Sequence, residues 1–192
     1  MIKKLSTFLF IIGFVLVSMS GILTIKYYLN TNNQDNKIIV QQLYESMPEV
    51  QSGMISDFNT EMPIVEINRQ NFVGIIEIPK YNCTLPIYGI WDSKIITKYP
   101  ALYLGTIYDG SIILGGSDQK NQFDFMKIIN EDDYLTITDM KGKRYSYVVD
   151  KIEITKDVST EHLISLENDL VIFVKNTYSF DYTILRCNYK LG

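Results

Sequence analysis

The chain has 192 residues, 46% apolar, 12% aromatic and 21% charged, with a single His, two Cys and a net charge of −4. That length holds one compact domain with an appendage. The Cys and His counts exclude a disulfide-rich scaffold, an iron–sulfur site, a Cys-based zinc site and a multi-His metal centre.

Residues 5–25 (LSTFLFIIGFVLVSMSGILTI) form a run of twenty-one residues without a charge. As a helix it spans about 30 Å, the thickness of a bilayer core, and reads as a transmembrane signal anchor. Lys3 and Lys4 precede it and only Lys26 follows closely, so residues 1–4 are expected in the cytoplasm and the rest outside the cell membrane. The rival, a cleaved signal peptide, has only Ser18-Met19-Ser20 as a weak cleavage site and a shorter usual apolar core. Removing Lys3, Lys4 and Lys26 leaves 15 basic against 22 acidic residues, a net −7 that argues against nucleic acid as a partner.

Residues 26–62 read as a linker: a polar spacer at 30–36, then a short helix over 37–47. There Ile39, Leu43 and Met47 recur every four residues beside Val40 and Tyr44, and Pro48 stops the pattern. The remaining 49–62 shows no period and is expected to wrap the surface.

From residue 63 to 192 the pattern turns to β. Strands are expected over 72–78, closed by Pro79, and over 84–88, where Pro86 suits an edge or strand end. Short apolar runs at 101–104 and 111–114 sit between glycines. Residues 122–129 carry Phe125, Ile128 and Ile129 at helical spacing. Residues 134–138 and 144–154 flank a turn at 139–143 and predict a hairpin. The inward parity changes from Tyr145, Tyr147 and Val149 to Ile152 and Ile154, which predicts a bulge near Asp150. A buried strand over 169–174 and a last strand over 182–189 complete about eight strands. The fold class is mainly β, an antiparallel barrel with short helices behind one transmembrane helix.

Six segments in order resemble the sortases, membrane-anchored cysteine transpeptidases of Gram-positive cell surfaces. They are Gly74-Ile75-Ile76-Glu77-Ile78-Pro79 (for G-x-I-x-I-P), Leu85-Pro86-Ile87-Tyr88, residues 110–116 (GSIILGG, for G-N-x-V-I-x-G-H), 123–137, 143–149, and Leu170-Val171-Ile172-Phe173-Val174-Lys175 (for L-T-L-x-T-C). The resemblance implies a sortase-like barrel over about residues 72–191. It implies no catalysis by the family's means, which is a Cys thiolate attacking a sorting-signal carbonyl beside a His and an Arg. Read against the family, the His position holds Gly116. The Cys position holds Lys175, or Asn176 if residues 178–181 are matched to a Y-x-F-D stretch. The Arg position holds Tyr182, or Thr183 with the gap shifted by one.

The remaining reactive residues are Cys187, His162 and Arg186. Period two puts Arg186 on the face of Tyr182 and Cys187 on the opposite one, and His162 is expected in a solvated loop. Cys83 and Cys187 read as small core fillers, a pair only if their Cα atoms come within about 6 Å. Glu131-Asp132-Asp133 alternate in direction and supply too few oxygens for calcium; no metal and no cofactor is expected. Trp91 reads as a loop anchor. The expected function is a surface-exposed pseudoenzyme that binds a sorting-signal-like peptide or surface protein, or assists an active sortase in the same membrane, in surface-protein or pilus assembly. The alternative is an active cysteine transpeptidase or hydrolase with a rearranged site.

Overall fold

The computed structural model describes residues 2–55, 61–164 and 167–190, with the backbone alone for 2–9 and 25–34. The chain divides into two compact units, Met1–Asp35 and Asn36–Gly192. Helix α1 (Ile2–Ser46) supplies the first unit and continues into the second, so the polar spacer expected at 30–36 is helical. In the first unit Phe10, Phe14, Val17 and Ile22 are exposed. Among the described residues no helix is long and apolar enough to cross a membrane. The side chains of residues 5–9 and 25 of the expected span, and residues 56–60 of the expected linker, lie outside the described residues.

In the second unit, ten strands follow: β1 (Gln51–Ser52), β2 (Val65–Ile67), β3 (Gln70–Ile78), β4 (Cys83–Tyr88), β5 (Ala101–Leu104), β6 (Ile112–Ser117), β7 (Tyr134–Asp139), β8 (Lys143–Thr155), β9 (Leu170–Lys175) and β10 (Tyr182–Tyr189). Their order runs β1-β8-β10-β9-β6-β5-β4-β3-β2, and β7 pairs with both β3 and β8. That second pairing closes β3 through β10 into an eight-stranded barrel, with β1 and β2 as short additions. The expected all-antiparallel order needs correction: β6–β9 and β4–β5 are parallel, the latter through Tyr88 and Ala101 alone. Chain segments between β6 and β9 form the β7–β8 hairpin, so β9 returns beside β6 in the same direction. Since β4 meets β5 only at Tyr88, Pro86 lies where no second ladder needs its missing N–H.

The interior of the barrel is apolar, with Ile76, Leu114, Phe123, Ile137, Tyr147, Ile172 and Leu185 among its buried members. The C-terminal end of α1 lays Ile39, Val40 and Leu43 against Phe72, Ile75, Tyr99 and Met140, the face that its spacing predicts. The expected bulge is present: Arg186 pairs with Lys151 and Cys187 with Val149, leaving Asp150 unmatched. Ile152 packs against the core, but Ile154 is 70% exposed. At the hairpin turn the fully buried Asp139 accepts the N–H groups of Lys141 and Lys143 at 2.9 and 2.8 Å and the Tyr108 hydroxyl at 2.7 Å.

Residues 122–129 fold as a 3₁₀ turn over Asp124–Lys127 rather than an α-helix. Three residues per turn put Phe123, Met126 and Ile129 on one buried side and leave Ile128 64% exposed. This turn is locked to the end of β3. Tyr81 stacks on Phe125 at 4.6 Å, and Asp133 accepts hydrogen bonds from Lys80 Nζ (2.6 Å), Tyr81 Oη (2.6 Å) and the Asn130 N–H (2.9 Å). Burial works to raise the Asp133 pKa, but these donors outweigh it and hold the carboxyl below its ordinary value.

A carboxyl lowered on folding stabilises the native state above the ordinary carboxylate pKa, and that stability is lost as pH falls from there through the lowered, folded-state value. Asp133→Asn therefore lowers the thermal unfolding midpoint at pH 7, and the gap to wild type narrows as pH falls below about 4. Thermal melts across that range check this; a gap independent of pH contradicts the assigned role of the charge.

Candidate ligand groove

Three strands, β6, β9 and β10, build the site because their paired residues alternate between the barrel interior and the outside. On the outer face, Ile113 pairs with Val171 and Gly115 with Phe173, and Phe173 in turn pairs with Ile184. Leu163 packs on this face from helix α2 (Thr160–Leu163), Tyr103 from β5, and Trp91 and Val158 cover it from the surrounding loops. At the strand ends, Ser117 pairs with Lys175 and Lys175 with Tyr182. Directly paired residues point to one side of a sheet, so hydroxyl, ammonium and phenol stand in a row.

The row borders a groove of about 500 Å³ lined by all three side chains and by Trp91, Tyr103 and Phe173. Its aromatic floor rests on bare backbone. A Cβ on Gly115 would lie 2.3 Å from the Trp91 ring and 2.7 Å from Phe173. Trp91 meets Tyr103 edge-on at 4.9 Å, and Tyr103 meets Phe173 at 5.3 Å. The buried Gln122 accepts the Ser117 N–H at 2.6 Å and donates to the Ile96 carbonyl at 3.0 Å, tying the end of β6 to the loop that carries Trp91.

Gly116 does not share this face. Its Cβ would point to the Phe123 ring at 2.5 Å, in the barrel interior, while Ser117 holds the outward place beside Lys175. Asn176, the other reading of the Cys position, donates through its amide to Asp181 at 2.5 Å. Hydrogen bonds from Ser179 and then Asn176 hold the Asp181 carboxyl below its ordinary pKa. Thr183, the other reading of the Arg position, is buried, and its hydroxyl bonds to Asn176 at 3.3 Å. Asp118 accepts the Thr177 N–H at 2.8 Å and its hydroxyl, stitching together the loops that follow β6 and β9.

The structure brings two of the other three reactive residues together. His162 is on α2 rather than in a solvated loop: Nε2 bonds Glu153 Oε1 at 2.7 Å, and the Arg186 guanidinium donates to the His162 carbonyl at 2.9 Å. Ser159 caps that helix by accepting the His162 N–H at 3.3 Å. The cluster clamps α2 onto β8 and β10 and so supports the Val158 wall of the groove. Cys187 faces the interior, fully buried beside Tyr147. Both thiols are free; burial, with Asp124 adding a smaller effect, pushes Cys83 up to about 12, and burial raises Cys187 further. Asp133 is engaged by Lys80, Tyr81 and Asn130, and among the described residues no group of three or more His, Cys, Asp or Glu side chains is placed to hold a metal.

Sequence reasoning missed Ser117, Gln122, Glu153 and the groove role of Trp91. One signal was present for Ser117: the eight-place pattern G-N-x-V-I-x-G-H, begun at Gly110, ends on Ser117 rather than Gly116.

Neither a family model nor a curated protein matches the chain. Solved structures do. Sortase C1 from Streptococcus agalactiae is 21% identical over 66% of this chain and 72% of its own, with a TM-score of 0.55. Sortase C from Clostridium perfringens SM101 is 19% identical over 85% of this chain and 88% of its own, with a TM-score of 0.54. A Clostridium perfringens sortase D5 transpeptidase is 17% identical over 63% of this chain and 79% of its own, at 0.53. The barrel therefore has a sortase-like fold.

In the folded chain at pH 8, iodoacetamide should alkylate both thiols about a thousandfold more slowly than in denaturant. Mass spectrometry of trypsin digests reads this directly. Rapid labelling of Cys187 in the folded protein contradicts its placement in the core.

Proposed function

We propose that this chain is a membrane-tethered, surface-exposed protein that uses its sortase-like barrel to hold a peptide segment of a protein partner without cleaving it. The single observation that carries this reading is the groove itself: formed, aromatic-walled and bordered by Ser117, Lys175 and Tyr182. Acyl transfer needs a nucleophile activated by a neighbouring base. In this row the Ser117 hydroxyl lies against Gln122 Oε1 at 3.2 Å, and an amide oxygen is no useful base. Lys175 has no ion-pair partner among the described residues. Tyr182 supplies a phenol hydroxyl where an oxyanion or peptide would need a cation. The chain's thiols sit in or under the core, away from the groove.

What remains suits binding. Trp91, Tyr103 and Phe173 offer apolar surface to side chains, and the polar row offers hydrogen bonds to a peptide main chain. The uncharged stretch at 5–25 with Lys3 and Lys4 before it supports an anchor with the barrel outside the cell. Such a protein would present a surface protein to, or regulate, an active sortase in the same membrane.

The test incubates the full chain in detergent with a panel of sorting-signal peptides and hydroxylamine. Binding without hydroxamate formation is expected. Turnover abolished by Cys187→Ala would overturn the reading and favour the rearranged cysteine transpeptidase.

A further inference from the structure

The groove has one charged lining residue, Lys175, inside an exported region whose net charge is −7. Three carboxylates stand near it in sequence or in the adjoining loops, and each is already engaged. Asp118 holds Thr177, Asp181 holds Asn176 and Ser179, and Asp92 accepts the Lys94 N–H at 2.8 Å. Among the described residues none of them forms an ion pair with Lys175. The ammonium therefore stands in the middle of the paired row, between Ser117 and Tyr182, beside aromatic walls and without an ion-pair partner among the described residues. An isolated cation on an acidic surface suits one carboxylate; a polyanion would meet net repulsion from the rest.

From this charge complementarity we infer that the groove selects an extended peptide segment with an Asp or Glu side chain flanked by apolar or aromatic residues, the carboxylate pairing with Lys175. A side-chain carboxylate fits better than a chain terminus because polar groups flank Lys175 on both sides, so a main chain has hydrogen-bonding partners on either side of the cation. The inference rests on the reading of the groove as a peptide site and narrows it to one ligand chemistry.

Isothermal calorimetry on the full chain in detergent tests it, with N-acetylated, C-amidated eight-residue peptides of Tyr, Leu and Val around a central Glu, Gln or Lys. The Glu peptide should bind about threefold to tenfold more tightly than the Gln peptide, and the difference should shrink at high salt. K175Q should abolish the preference, K175E should turn it toward the Lys peptide, and K175R should keep it, with thermal midpoints near wild type because the side chain is exposed. Equal binding of the Glu and Gln peptides by wild type overturns the acidic preference and leaves the peptide groove standing. A preference that survives in K175Q overturns the assignment to Lys175. Failure of all three peptides to bind overturns the peptide-site reading and this inference with it.

Discussion

The Trp91 and Phe173 rings lie directly on the backbone of Gly115, closer than any Cβ would allow. That contact makes the outer face of β6, β9 and β10 a floor rather than an ordinary sheet surface crowded with side chains. Tyr103 and the α2 loop then pack around the same rings, and the space left between them is the groove. One residue further on, the strand's alternation turns inward, and Gly116 gives its place to Phe123 in the barrel interior. One more step turns outward again and delivers Ser117 to the row with Lys175 and Tyr182. Three consecutive residues therefore set floor, core and rim. A side chain at either glycine forces large rings to move, and overpacking of this kind costs about 1–3 kcal/mol.

Scaffold and chemistry separate cleanly in this molecule. Closure through β7, the bulge at Asp150 and the Asp133 lock on the 3₁₀ turn all serve to hold strand ends in place. The Glu153–His162–Arg186 cluster does the same for the α2 wall, so the imidazole and the guanidinium support the groove without entering it. Sulfur is absent from the groove lining, and burial keeps both cysteines as thiols. What lines the groove is apolar area, hydroxyls, the Gln119 amide and one ammonium.

Much of the barrel was legible because its signals are local. Pro79 ends β3, and parity across Val149 and Ile152 marks the bulge. Other features depend on what comes near in space. Polar composition at 30–36 suggests a spacer, yet helix α1 runs through it. Parallel pairing of β6 with β9 follows from a hairpin inserted between them and leaves no trace in either strand's composition. His162 reads as solvated until Glu153 on the preceding strand β8 and Arg186 on β10 are placed against it. For the site, the family pattern offers Lys175 or Asn176 and Tyr182 or Thr183, and its third place reads as Gly116, one residue before the eight-place pattern ends. That pattern ends on Ser117, and the cross-strand register shows Ser117, with outward parity, beside Lys175.

Trp91 is the chain's single tryptophan and lines the groove, so its emission reports on that space alone. The most direct test of the account is a fluorescence titration of the full chain with a groove-binding peptide, followed by mass spectrometry of the recovered peptide. The account predicts a saturable change in Trp91 emission and a peptide recovered intact. A cleaved or protein-linked peptide, or saturable binding that leaves Trp91 emission unchanged, would contradict it.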